Sequence, residues 1–213
     1  MRTKSCGVRE LMILCAIVLS GCALTDAHVN PGYAVEAERK SPLSTIAPLT
    51  IAIKVDDQRP EYEQDRVGNK RNSLGGITAK VITDTPPPSI LFDALKAEFE
   101  AGNHKVLKME DGQVDSVVKI SLKRYWSDFA IHWFDVEVMG TLETDLAIFK
   151  DTGQEPLLTK PFNSNFRESR QIVLDGAFEN VLRGALLEYV RSFARDPNVL
   201  DALKAAAAEK MKK

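Results

Sequence analysis

The sequence predicts an α+β domain of two layers, a mainly antiparallel sheet with helices packed on one face. Three observations carry this. Apolar residues from Phe134 to Ile148 keep period two, Leu49 to Val55 does the same over a shorter run, and Leu174 to Phe193 forms a helical apolar stripe. One buried and one wet face per strand is the mark of an antiparallel sheet, and the stripe supplies what covers it.

The elements follow in order. Leu49, Ile51, Ile53 and Val55 alternate with polar or small residues and read as the first strand. A polar loop spans Asp56 to about Asn72, and Gly75-Gly76 breaks the chain before a short strand at Ile77 to Ile82. Pro86-Pro87-Pro88 leads into a helix whose apolar face holds Leu91, Leu95 and Phe99, with Gly102 at the carboxyl cap position. Val118, Ile120 and Leu122 alternate with Lys119, Ser121 and Lys123, and Phe134, Val136, Val138, Leu142, Leu146 and Ile148 continue the pattern. Asp151 to Gln154 is a turn, and a last strand runs from about Leu157 to Phe166. In the following helix Phe178, Val181, Leu182, Ala185, Leu186 and Tyr189 join the stripe. Asp196-Pro197 then opens a final helix as N-cap and first helical residue.

The amino terminus carries a different signal. Arg2, Lys4 and Arg9 precede an apolar run from Leu11 to Leu19, and Leu19-Ser20-Gly21-Cys22 closes it. Basic start, apolar middle and small residues before a cut describe a secretory signal peptide. A membrane span needs about 20 apolar residues, and this run is far shorter. The cysteine directly after the small pair resembles the lipobox of bacterial lipoproteins. That resemblance implies cleavage between Gly21 and Cys22, a diacylglycerol on the Cys22 sulfur and an acyl group on its nitrogen. Ala23, not aspartate, follows the cysteine, which by the sorting rule of Gram-negative lipoproteins favours the periplasmic face of the outer membrane.

Composition sets bounds on the rest. Cys6 and Cys15 fall in the removed segment, so Cys22 is the only cysteine left and no disulfide is expected. Removal of residues 1–21 leaves 25 basic against 29 acidic residues, no polybasic footprint for nucleic acid. The expected organisation is a signal at 1–21, the lipidated cysteine and a flexible tether over 22–47, one domain at 48–208 and a basic tail at 209–213. Pro31, Gly32 and Pro42 and weak periodicity mark the tether, whose typical reach would be about 25–30 Å. The domain is expected to fold alone from about Pro48 to Ala208.

The order of these parts resembles the YajG-like family of bacterial lipoproteins. The shared features are the lipobox at Cys22, the strand Ile51 to Val55 leading into Asp57-Gln58-Arg59, and Val67-Gly68. The helix ending at Gly102, the alternating middle strands and the late amphipathic helix complete the likeness. It covers about Thr50 to Leu203. It implies an envelope location and a compact α/β domain, but no reaction and no catalytic residue.

Four groups of residues are candidates for function. Asp57 and Arg59 stand at the end of the first strand, where two carboxylates and a guanidinium could bind an ion or polar ligand. An internal Asp57–Arg59 ion pair is the preferred reading, since hard cations want six or more oxygens. Asp135, Glu137, Glu143 and Asp145 share a wet strand face and are expected to pair with lysines such as Lys119 and Lys123. His104 and His132 lack metal-type spacing and read as surface residues, with His28 in the tether, so no metal or cofactor is expected. Tyr125, Trp126, Phe129, Trp133 and Phe134 crowd what reads as a connection between two strands. They form either a hydrophobic plug or a patch that docks a protein partner or lipid headgroups, with Trp126 and Trp133 as its contacts.

These observations point first to a non-catalytic lipoprotein that binds or assembles with another envelope component, held to the membrane through Cys22. The alternative is an auxiliary lipoprotein of an envelope transport system handling lipid or another small molecule. No motif supports an enzyme.

Overall fold

The computed structural model describes residues 25–34, 40–72, 74–107, 113–131, 135–151, 155–171 and 175–210. The signal, Gly21, Cys22, His132, Trp133, Phe134, Leu174 and the last lysines lie outside the described residues or their side chains.

Eight strands form one mixed sheet. They are β1 (Ala27–Val29), β2 (Thr50–Asp57), β3 (Gly68–Arg71), β4 (Ile77–Thr83), β5 (Lys105–Leu107), β6 (Ser116–Ile131), β7 (Val136–Lys150) and β8 (Pro156–Arg170). The helices are α1 (Pro87–Ala101), α2 (Asp175–Arg195) and α3 (Pro197–Lys210). The long strands β6, β7 and β8 form an antiparallel meander, and most paired residues of the sheet lie there. On the other edge of β6, β2 pairs in parallel along Ser116–Leu122, and β3 meets it at Ser127. The α+β two-layer expectation holds, with parallel joins on one flank that alternation alone does not show.

Alternation becomes packing on the helical side. Val118, Ile120, Leu122, Val138, Leu142, Leu146 and Ile148 point from the sheet into one core with α1, α2 and α3. Each fully buried aliphatic side chain contributes about 1.5–3 kcal/mol. Helix α2 approaches the sheet closely at Gly140, where a Cβ would meet the Val181 carbonyl oxygen at 2.1 Å. Its Tyr189 and the Thr144 hydroxyl of β7 bond at 2.8 Å, which satisfies two polar atoms inside this core. Helix α3 opens as the sequence predicts, with Asp196 Oδ1 accepting from the Asn198 and Val199 N–H groups.

The segment 22–47 is not a tether in its described part. Ala27–Val29 is strand β1, parallel to β4, and Ala27 and Val29 are buried. Further on, Pro42–Thr45 is a 3-10 turn that plants Leu43, 0% exposed, in the core. Tyr33 and Ser41 both donate to the buried Glu98 of α1, at 2.6 and 2.8 Å. Three residues of strand and one apolar plug are too short to show a period, so the sequence reads as linker while the packing makes it core.

One smaller correction shares that cause. The expected polar loop at Asp56 to Asn72 contains β3 and a 3-10 turn at Glu61–Glu63. Gly102 is the carboxyl cap of α1 as expected, at φ −83°, and the left-handed conformation falls on Asn103 at φ 65°. Glycine is required at 102 for another reason, since a Cβ there would approach Leu43 Cβ to 2.8 Å.

Candidate functional site

The Asp57–Arg59 pair is built where β2 leaves the sheet. The Gln58 N–H still bonds the Leu122 carbonyl of β6 at 2.9 Å, and Pro60 then turns the chain into Glu61–Glu63. Arg59 folds back, 3% exposed. Its Nε and Nη2 donate to the two Asp57 carboxylate oxygens at 2.9 Å each, a bidentate fork. Its remaining N–H groups reach the carbonyls of Glu63 at 2.9 Å, Arg66 at 3.1 Å and Gln64 at 3.2 Å. Every guanidinium N–H thus has an acceptor within the protein, and none is left for a ligand. Burial pulls the Asp57 pKa up, but the Arg59 hydrogen bonds and charge outweigh it and hold the carboxyl below its usual 3.8. The pair is a staple for the loop that follows β2.

A cleft of about 290 Å³ lies beside this staple and gathers Asp57, Asp65 and Asp84. Each acid has a partner: Arg59 holds Asp57, Arg66 and Lys80 hold Asp65 down to about 2, and the His28 ring meets Asp84 at 3.0 Å. His28 therefore joins a strand to the loop after β4 and does not sit on a free tether.

His104 is buried, 4% exposed, against the surface expectation. Its Nδ1 accepts from the Leu49 N–H at 3.2 Å, and its Nε2 donates to the Leu43 carbonyl at 3.1 Å, which fixes the neutral tautomer. Burial pushes its pKa below the usual 6.5. The unfolded chain therefore binds a proton that the folded one resists, so this stability is present above 6.5 and lost as pH falls through the folded value. We expect thermal melts to show falling stability just below pH 6.5, with that slope reduced in His104→Gln.

The described members of the aromatic group are not in a connection. Tyr125, Trp126 and Phe129 lie within β6 itself, and only Trp133 and Phe134 fall outside the described residues. A bulge between Leu122 and Arg124 shifts the register, so the inward set changes from even to odd numbers. Tyr125 then faces α2 and donates to the Leu182 carbonyl at 3.1 Å, its hydroxyl pKa raised by burial. Phe129 packs edge-on against Phe178. Trp126 faces the other way, 8% exposed, with the Arg124 guanidinium 6.0 Å from its ring. It fits a plug more than an exposed docking contact. We expect Trp126→Ala to lower stability by about 3 kcal/mol, the lower end for a large buried aromatic, in denaturant melts.

The wet face of the meander is charged and paired as expected in part. Lys123 meets Asp145 at 3.2 Å and Arg167 meets Glu137 at 3.6 Å, whereas Lys119 lies over the Phe149 ring at 4.5 Å. Exposed pairs of this kind contribute about 0–1 kcal/mol each.

One feature escapes sequence reasoning. A second cleft of about 460 Å³ is lined by Tyr62, Glu63, Arg71, Ile77, Arg124 and Trp126, among others. Glu63 is 3% exposed, and among the described residues neither its Oε2 nor the buried Nε of Arg124 has a hydrogen-bond partner. Its residues come from a loop, a hairpin and a bulged strand, which no spacing rule connects.

No family model and no curated protein matches the chain. Solved structures do. A crystal structure of a Xanthomonas campestris protein of the family DUF330 is similar over 88% of this chain and 99% of its own, with a TM-score of 0.57 and 13% identity. At that identity the likeness shows a shared fold. Looser matches include an uncharacterised lipoprotein B from Nitrosomonas europaea, with TM-score 0.40 and 11% identity over 84% of this chain and 96% of that one. A minor lipoprotein from Acinetobacter baumannii matches at TM-score 0.38 and 12% identity, over 70% and 92%. None of these three carries the YajG-like name.

Proposed function

We propose that the chain is a lipid-anchored protein of the bacterial envelope, held on the periplasmic face of the outer membrane and acting by binding another envelope component. The observation that carries this is Leu19-Ser20-Gly21-Cys22 behind a basic and apolar leader. The non-catalytic part rests on what the candidate groups do. Arg59, Asp57, His104 and Tyr125 are each bound to specific backbone or side-chain partners that hold the fold. Among the described residues, no helix is long and apolar enough to cross a membrane.

Two or three acyl chains hold a protein far more firmly than one, at about 0.8 kcal/mol per buried CH₂. Replacing Cys22 by serine should therefore abolish labelling by a radioactive fatty acid and release the protein from salt-washed membranes. A Cys22→Ser chain that still sediments with washed membranes would refute the anchor.

A further inference from the structure

The proposed anchor and one exposed apolar hairpin belong to the same end of the molecule. Strand β1 runs parallel to β4, with Ala27 beside Val81. Cys22 lies five residues before Ala27, so it can be no more than about 17–18 Å from it even in a fully extended chain. Ile77 lies four residues before Val81, about 13 Å along β4, and the turn with Leu74 lies beyond it. The β3–β4 turn therefore extends about as far toward this end as the cysteine can.

This turn presents apolar surface. Leu74 is 93% exposed and Ile77 56% exposed, and Tyr62 beside the cleft is 69% exposed. The turn is braced internally, with Arg71 donating to the Gly75 carbonyl at 3.1 Å and Asn72 Oδ1 accepting from the Leu74 and Gly76 N–H groups. Behind it lies the 460 Å³ cleft, whose walls include Arg71 and Arg124, with Glu63 Oε2 and Arg124 Nε unpartnered among the described residues.

We infer that this end of the sheet rests on the bilayer that holds the anchor. Leu74 and Ile77 enter the boundary between headgroups and acyl chains, and the cleft behind them receives a phospholipid headgroup. The occupant follows from where the chain outside the described residues ends, at an acylated cysteine within reach of the turn. The open chemistry matches it: guanidinium N–H groups face a phosphate, and a buried carboxylate oxygen accepts from a primary ammonium such as that of ethanolamine. The lipid anchor thus sets the orientation of the domain as well as its location.

The inference rests on Cys22 being the anchor, so its test supplies the anchor chemically. The chain from Cys22 onward has a single thiol, which can be coupled to a maleimide lipid in vesicles of phosphatidylethanolamine and phosphatidylglycerol. The photoreactive residue benzoylphenylalanine replaces Leu74, Tyr62 or, as a control, Leu157. Leu157 is also apolar and 41% exposed, but it lies at the opposite end of the meander, roughly 40 Å away along the strands. Several-fold more lipid adduct is expected at positions 74 and 62 than at 157. Equal yields at 74 and 157 would overturn the resting face, and adducts at 74 without any at 62 would overturn the headgroup cleft. Failure of the anchor itself would appear separately, in cells, as a wild-type chain without fatty-acid label.

Discussion

A chain beginning at Pro48 should show no cooperative unfolding transition, while one beginning at Thr25 should melt cooperatively. The shorter chain lacks β1 and the 3-10 turn, and with them Val29, Leu43 and Ile46, which are 2%, 0% and 4% exposed. At about 2 kcal/mol each, their burial accounts for roughly 6 kcal/mol. That is comparable to the total stability of an ordinary domain, about 5–15 kcal/mol. The loss goes further, because Glu98 is 0% exposed and would lose the Tyr33 and Ser41 hydroxyls that donate to it. A buried acceptor deprived of donors carries a desolvation cost of about 1–3 kcal/mol, more when charged. Urea melts followed by circular dichroism compare the two chains directly. Equal midpoints would show that the amino-terminal segment adds nothing to the core.

Arg59→Ala should lower stability by about 3–5 kcal/mol, the range for removing one partner of a buried ion pair. The mechanism is specific. Asp57 would lose its bidentate partner, and the carbonyls of Glu63, Gln64 and Arg66 would lose the donors that shape their loop. Arg59→Lys should recover only part of the loss, since an ammonium cannot fork to both carboxylate oxygens and still reach three carbonyls. A ligand-binding role for Arg59 expects the reverse, a stable variant with an altered surface. The pair also sets an acid limit. Because the folded Asp57 pKa lies below the unfolded 3.8, its contribution is complete above 3.8 and disappears as pH falls through the folded value.

Those residues show how much the sequence disclosed. The meander and α2 were legible because each presents a long stripe with one wet side: β7 buries Val138, Leu142, Leu146 and Ile148 in strict alternation. Arg59 was legible as a structural partner because a guanidinium two residues from a carboxylate at a strand end has an obvious mate. Three strands were not legible. Strands β1 and β5 have three residues each, and β3 reads Gly-Asn-Lys-Arg with no apolar side chain. The β6 bulge caused the largest misreading. It reverses the alternation at Arg124, so Tyr125 and Trp126 looked like a connection when they sit on opposite faces of one strand. His104 shows a further limit: a lone histidine carries no periodic signal, and its burial follows from Leu43 and Leu49 closing over it.

The same amino-terminal segment joins fold and function. Two residues, Ala23 and Leu24, separate Cys22 from Thr25, whose carbonyl accepts from the Lys70 ammonium at 3.0 Å. An anchor at Cys22, as proposed, would hold the domain at the membrane surface and not at the end of a long tether.

Mass spectrometry of the amino-terminal peptide from protein purified out of its own membranes tests this account most directly. The account predicts a chain that begins at Cys22, with a diacylglycerol on its sulfur and an acyl group on its nitrogen. An unmodified peptide that runs through Gly21 and Cys22 would contradict it.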